Sequence, residues 1–108
     1  MSTPANPVFT QTGGARIGRS YWLSFNATWP FAKLEVTEAG ITITVEALSK
    51  TYSFAKANIT DIWLNAGILS TGVQIEHCIE SHPKYIVFWT SNIDEMRSSL
   101  HRLGYKTR

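Results

Sequence analysis

The stretch Tyr85-Ile86-Val87-Phe88-Trp89-Thr90-Ser91-Asn92-Ile93-Asp94-Glu95-Met96 is where the hydrophobic period of this chain changes, once and for good. From Tyr21 to Thr90, short alternations of apolar and polar residues are interrupted by turn formers, the pattern of half-buried strands. Beyond Asn92, residues Ile93, Met96, Leu100 and Leu103 fall on one narrow stripe of a helical period. Asn92 is placed to cap that helix, Glu95 to close a capping box, and Gly104 to stop it with a left-handed residue. Asp94 and Glu95 sit in the positive first turn and His101 and Arg102 in the negative last turn. Strands first and a single closing helix last predict a mainly β fold: a seven-stranded antiparallel barrel or sandwich capped by one C-terminal helix.

Working back from the helix, the most secure pair is Phe31–Thr37 and Ile41–Val45, joined by Glu38-Ala39-Gly40. The first strand is expected over Ile17–Ala27, with Tyr21, Leu23 and Phe25 on one face, and Thr28-Trp29-Pro30 is expected to break it. Shorter strands follow over Thr51–Phe54, Ile59–Leu64 and Gly72–Ile79, the last two separated by an Asn65-Ala66-Gly67 turn, and Tyr85–Thr90 completes seven. Residues 1–15 carry no charge, two prolines and the pair Gly13-Gly14, a composition expected to form a flexible N-terminal arm. The folded domain is therefore expected over 16–105, with 106–108 as a C-terminal tail. Four tryptophans, Trp22, Trp29, Trp63 and Trp89, lie in the strand region, where rings of that size are expected to fill a small core.

A chain of 108 residues has room for one independent domain, expected to bury roughly two-thirds of its unfolded surface. One cysteine, Cys78, gives no internal disulfide framework, and the first residues lack the charged start and apolar run of a signal peptide, so the expected address is cytoplasmic. Ten Lys and Arg, interspersed with acids, give a formal charge of +2 and no basic stripe, so no nucleic-acid partner is expected. Glu76, His77, Cys78, Glu80 and His82 are zinc-ligating residue types, but alternation puts Glu76, Cys78 and Glu80 opposite His77 and no second ligand pair completes the set. No metal or other cofactor is expected. No Ser or Cys is spaced to meet an oriented base, and no Gly-rich phosphate loop is present, so the chain is not expected to be an enzyme.

Three segments carry a likeness to a known family: Trp29-Pro30-Phe31-Ala32-Lys33-Leu34-Glu35-Val36, Val73-Gln74-Ile75-Glu76-His77 and Tyr85-Ile86-Val87-Phe88-Trp89 leading into the helix. Over residues 16–105 the chain resembles a pleckstrin-homology-like (PH-like) domain, and more narrowly the small bacterial PH-like proteins of unknown function. The resemblance implies four strands, then three, then a helix that plugs one end of the barrel. It also implies an open end where the loops between the first and second, third and fourth, and sixth and seventh strands converge, the place where better-known members bind inositol phosphates through a basic cluster in the first loop. Here that loop is expected at Asn26-Ala27-Thr28-Trp29-Pro30, with no basic residue before Lys33, so no specific phosphoinositide site is expected.

What maps to that end is Trp29 and Phe31 from the first loop, Lys50 from the second, and His82 and Lys84 from the third. A ring pair beside three potential cations suits an acidic peptide or an anionic membrane surface. The structural reading of the same residues puts Phe31 in the core, Trp29 over the barrel mouth and the cations in solvent. Arg16 and Arg19, at the start of the expected first strand, read as charges that discourage unwanted strand pairing. The function expected is a non-enzymatic binding or scaffold module acting through protein–protein contacts, foremost self-association into a homo-oligomer. Peripheral contact with anionic lipid headgroups is the alternative.

Overall fold

A computed structural model describes residues 9–20, 22–64 and 71–108. Its strands are β1 (Phe9–Gly18), β2 (Ser24–Val36), β3 (Gly40–Val45), β4 (Lys50–Ala55), β5 (Ile59–Leu64), β6 (Gly72–His77) and β7 (Tyr85–Trp89), followed by helix α1 (Ile93–Arg102). All seven belong to one antiparallel sheet of order β4-β3-β2-β1-β7-β6-β5, so β4 and β5 are its two ends. Because the 3₁₀ turn Lys56–Asn58 joins those two strands directly, the ends must lie near each other, and the sheet curls into a half-barrel.

The inner positions of the strands hold Leu34, Val36, Ile41, Ile43, Val45, Ile62, Val73, Ile75 and Ile86, all essentially inaccessible. Met96 and Leu100 of α1 complete this core, with Leu103 beside them, as the stripe predicts. The expectation that tryptophans fill the interior is overturned: Trp22, Trp29 and Trp63 are exposed and Trp89 is half-buried, while Phe54 and Phe88 are the only rings among the largest fully buried side chains. Inward positions two residues apart on closely spaced strands suit branched aliphatic side chains better than indoles.

Four further sequence expectations change. The first strand starts at Phe9, eight residues before the expected Ile17, so residues 9–15 belong to the sheet rather than to an arm. They enter it because β1 is flanked by β2 and β7, with pairs such as Gln11↔Leu34 and Ala15↔Phe88 that composition cannot reveal. The expected strand Ile17–Ala27 is instead a hairpin, folded at residues 19–23, where the Arg19 amide donates to the Leu23 carbonyl (3.0 Å) and the Leu23 amide to Ser20 Oγ (3.3 Å). Residues 1–8, Tyr21 and the expected turn Asn65-Ala66-Gly67 lie outside the described residues.

The expected break at Thr28-Trp29-Pro30 is a bulge within a continuing strand. Between the pairs Gly13↔Ala32 and Ala15↔Ala27, β1 advances two residues while β2 advances five, so β2 carries three extra residues there. The Trp29–Pro30 peptide in the bulge is cis.

The helix ends follow the sequence closely. Asn92 Oδ1 accepts the Glu95 amide at 3.1 Å, but the return bond of a full capping box is replaced: the Asn92 amide donates to Thr90 Oγ1 (3.1 Å). At the other end Gly104 has φ +90°, its amide donates to the His101 carbonyl (3.1 Å), and the Tyr105 amide donates to the Leu100 carbonyl (2.9 Å), a Schellman stop. The chain beyond it is tied down. The Arg108 amide donates to the Ile62 carbonyl (2.8 Å) and the Leu64 amide to the Arg108 carbonyl (2.9 Å), so residues expected as a tail lie along β5.

Candidate functional site

The five residues expected at the open end are split by the fold. Trp29 and Phe31 stand on the β2 bulge and are 67% and 49% exposed, so Phe31 is not a core residue. The bulge is the reason: with three unmatched residues, the inward alternation lapses between Ala27 and Ala32, the two buried positions on either side. Trp29 lines a cleft with Gly14, Trp89, Thr90 and Ser91. Lys50 begins β4 and is exposed, paired in register with Val45. His82 and Lys84 lie in the β6–β7 loop and face a different set of neighbours: Gly18, Arg19 and Leu23, with Pro83 between them, around an open groove of about 860 Å³.

That grouping also relocates the first loop. It is residues 19–23 rather than Asn26–Pro30, and it carries Arg19, whereas the expected loop held no basic residue. Gly18 and Ser20, two turn formers inside the expected strand, were the signal available for it. Two strongly exposed large apolar side chains, Trp22 (85%) and Leu23 (66%), are at its tip, and Phe25 is exposed just behind. None of these three was singled out as a site residue from sequence.

His82 has a structural task. Its Nε2 lies 2.8 Å from the Ser53 carbonyl of β4, which only accepts, so Nε2 carries the proton. Its ring meets Tyr52 and Phe54 edge-on, at centroid distances of 5.6 and 5.1 Å, and thereby bridges the β6–β7 loop to the end strand of the sheet. In His77 both nitrogens are engaged: Nδ1 accepts the Ile79 amide (3.0 Å), which leaves the proton on Nε2 to be donated to the Pro83 carbonyl (2.8 Å). Glu76 accepts the Trp63 indole N–H at 2.6 Å. Cys78 is exposed and lies past the end of β6, as does Glu80. Among the described residues, no three His, Cys, Asp or Glu side chains gather where a metal ion could be held.

Open strand edges decide what the outside of the sheet can bind. The outer edge of β5 is partly covered by the two Arg108 backbone bonds, reinforced by Arg108 Nε to Asp61 Oδ1 (3.0 Å) and by the guanidinium 5.0 Å from the Trp63 ring centroid. At β4, His82 takes the Ser53 carbonyl. A further opening is on β2. Its partner β3 pairs only with Ala32–Val36, so no strand among the described residues lies along the outer side of Phe25–Phe31. This segment is uncharged and holds Phe25, Trp29 and Phe31, all exposed.

Compared with known proteins, the chain matches no family model and no curated protein. No helix among the described residues is long and apolar enough to cross a membrane.

Proposed function

We propose that the chain is a non-enzymatic, PH-like binding module that acts through protein–protein contacts and associates with a second copy of itself along the outer side of β2. The observation that carries this reading is the uncharged segment Phe25–Phe31, an open strand flank with three exposed rings, in a sheet whose two end strands are partly covered by the chain itself. An edge of this kind normally carries a charge or a covering element, because unpaired backbone groups beside apolar side chains recruit another strand. Joining two copies there would pair the backbone groups before the bulge and bury the rings in one step. The non-enzymatic part rests on the site chemistry. Ser81 Oγ and His82 Nδ1 approach to 3.5 Å, but these are exposed neighbours in the chain, and the other His82 nitrogen is spent on a backbone carbonyl rather than on an orienting carboxylate.

Light scattering on the purified protein tests it. The mass expected is above the 12.1 kDa of one chain, and Phe25→Lys with Trp29→Glu is expected to return it to that of a monomer. A wild type that stays monomeric at high concentration removes the proposal. One observation favours the membrane reading instead: Trp22 and Leu23 protrude at the tip of a hairpin, near Arg19 and Lys84. Under that reading anionic vesicles shift the tryptophan emission and Trp22→Ala removes the shift.

A further inference from the structure

We infer that the cleft between Trp29 and Trp89, on the outer face of the sheet, binds a neutral oligosaccharide of β-linked hexoses. The inference goes beyond the association proposed along β2: it uses a face of the sheet rather than its open flank, and it needs no second copy of the chain. Phe88 belongs to the core, so alternation points its neighbour Trp89 out of the sheet. Register sets Trp89 between two glycines, Gly72 of β6 and Gly14 of β1. Their missing side chains let the indole lie down. A Cβ on Gly72 would fall 2.8 Å from Cε3 and Cζ3 of the ring, and one on Gly14 would fall 3.2 Å from Cδ1, so the benzene edge rests over one glycine and the pyrrole edge reaches the other. Both glycines are buried. At the pyrrole corner Nε1 donates to Asn26 Oδ1 at 3.0 Å, which fixes the rotation of the ring.

A second indole stands beside the first. Trp29, 67% exposed, encloses with Trp89, Gly14, Thr90 and Ser91 a cleft of about 360 Å³. Glycine weakens a strand, and covering two of them accounts for the inner face of Trp89. It does not account for an exposed tryptophan next to it.

The chemistry of the lining selects the ligand. None of its five residues ionises, and the adjoining segment Phe25–Phe31 carries no charge, so the cleft offers nothing to an ionic group. A β-linked hexose with equatorial hydroxyls has two flat faces of C–H bonds and a rim of hydroxyls. Its slightly positive C–H hydrogens are attracted to the negative face of an indole, while the exposed Ser91 hydroxyl and Asn26 amide lie beside the rings to bond the rim. A proline-rich segment fits less well. Its carbonyls only accept, and the Trp89 N–H that would serve them is spent on Asn26. The cleft also holds no carboxyl pair of the kind that hydrolyses a glycosidic bond, so it binds the sugar without cutting it.

The test titrates the full chain with cellohexaose and, separately, with decaproline, reading tryptophan emission and the heat of binding. Saturable binding of cellohexaose is expected, unchanged as salt rises, with an affinity about tenfold or more lower in Trp29→Ala. Trp29 is exposed, and an unaltered thermal midpoint confirms that this variant folds. Phe25→Lys disturbs the β2 flank and leaves the cleft intact, so it should bind cellohexaose like the wild type whatever its light-scattering mass. A failure of self-association is thereby kept apart from a failure of this site. No saturable response of the wild type to cellohexaose, equal affinity in Trp29→Ala, steep weakening with salt, or binding of decaproline in preference to cellohexaose would each overturn the inference.

Discussion

A Cβ on Gly13 would lie 2.1 Å from the Trp89 carbonyl oxygen and 2.7 Å from the Phe88 ring, and one on Gly14 would lie 2.5 Å from the Ala27 carbonyl oxygen. The pair reads as a flexible composition in the sequence, yet it marks a point where β1 passes close to both neighbours and the register slips. Gly13→Ala should therefore cost about 2–4 kcal/mol, because the atoms in the way are backbone and a core ring, and urea unfolding would show it. A value near zero would mean that the strands can part at no cost. Tyr105 is a second residue whose role depends on its surroundings. It is buried, its hydroxyl donates to the Thr37 carbonyl at 2.8 Å, and the Lys56 ammonium sits 4.5 Å from its ring centroid. Desolvation raises its pKa from the ordinary 10.0 to about 12. The folded state therefore holds the proton more tightly than the unfolded chain, and its contribution is complete below pH 10 and lost as pH rises towards 12. Stability measured across that window should fall in the wild type and fall less in Tyr105→Phe; identical slopes would contradict the assignment.

At the scale of elements, the helix and the segment after it do different work. Asn92→Ala removes the oxygen that accepts the Glu95 amide and should lower stability by about 1 kcal/mol in a denaturant titration. The stripe, the cap and the stop of α1 were all legible in sequence, because each depends on residues within a turn of one another. The strap Tyr105–Arg108 was not, since its partners on β5 lie more than forty positions away. Deleting residues 106–108 would uncover the outer edge of β5, and the shortened chain should show a larger mass or precipitate where the full chain does not. An unchanged mass and midpoint would show that the strap protects nothing. The same reasoning explains the candidate site. The grouping of Trp29, Phe31, Lys50, His82 and Lys84 depends on an expected loop order, and among the described residues His82 and Lys84 share a groove while Trp29 lines another cleft, because the first loop is the hairpin tip between Gly18 and Ser24.

For the whole molecule, stability resides in one apolar core between a curled sheet and one helix. Chelators should leave the thermal midpoint where it was; a drop of many degrees would reveal a site around Cys78 that the geometry does not provide. Strand content, the change of period at Asn92 and the helix with both its ends follow from local pattern: alternation and capping act between residues a few positions apart, so a linear reading reaches them. Which strand lies beside which is another matter. Pairing Phe9–Gly18 between β2 and β7, looping three residues out of β2 and leaving Phe25–Phe31 without an outer strand among the described residues are choices among distant segments. Neighbouring residues do not encode them, because the free energy of a strand pair depends on the partner it meets. The tertiary structure alone therefore placed Trp22, Phe25, Trp29 and Phe31 outside and set Arg19 and Lys84 on one groove.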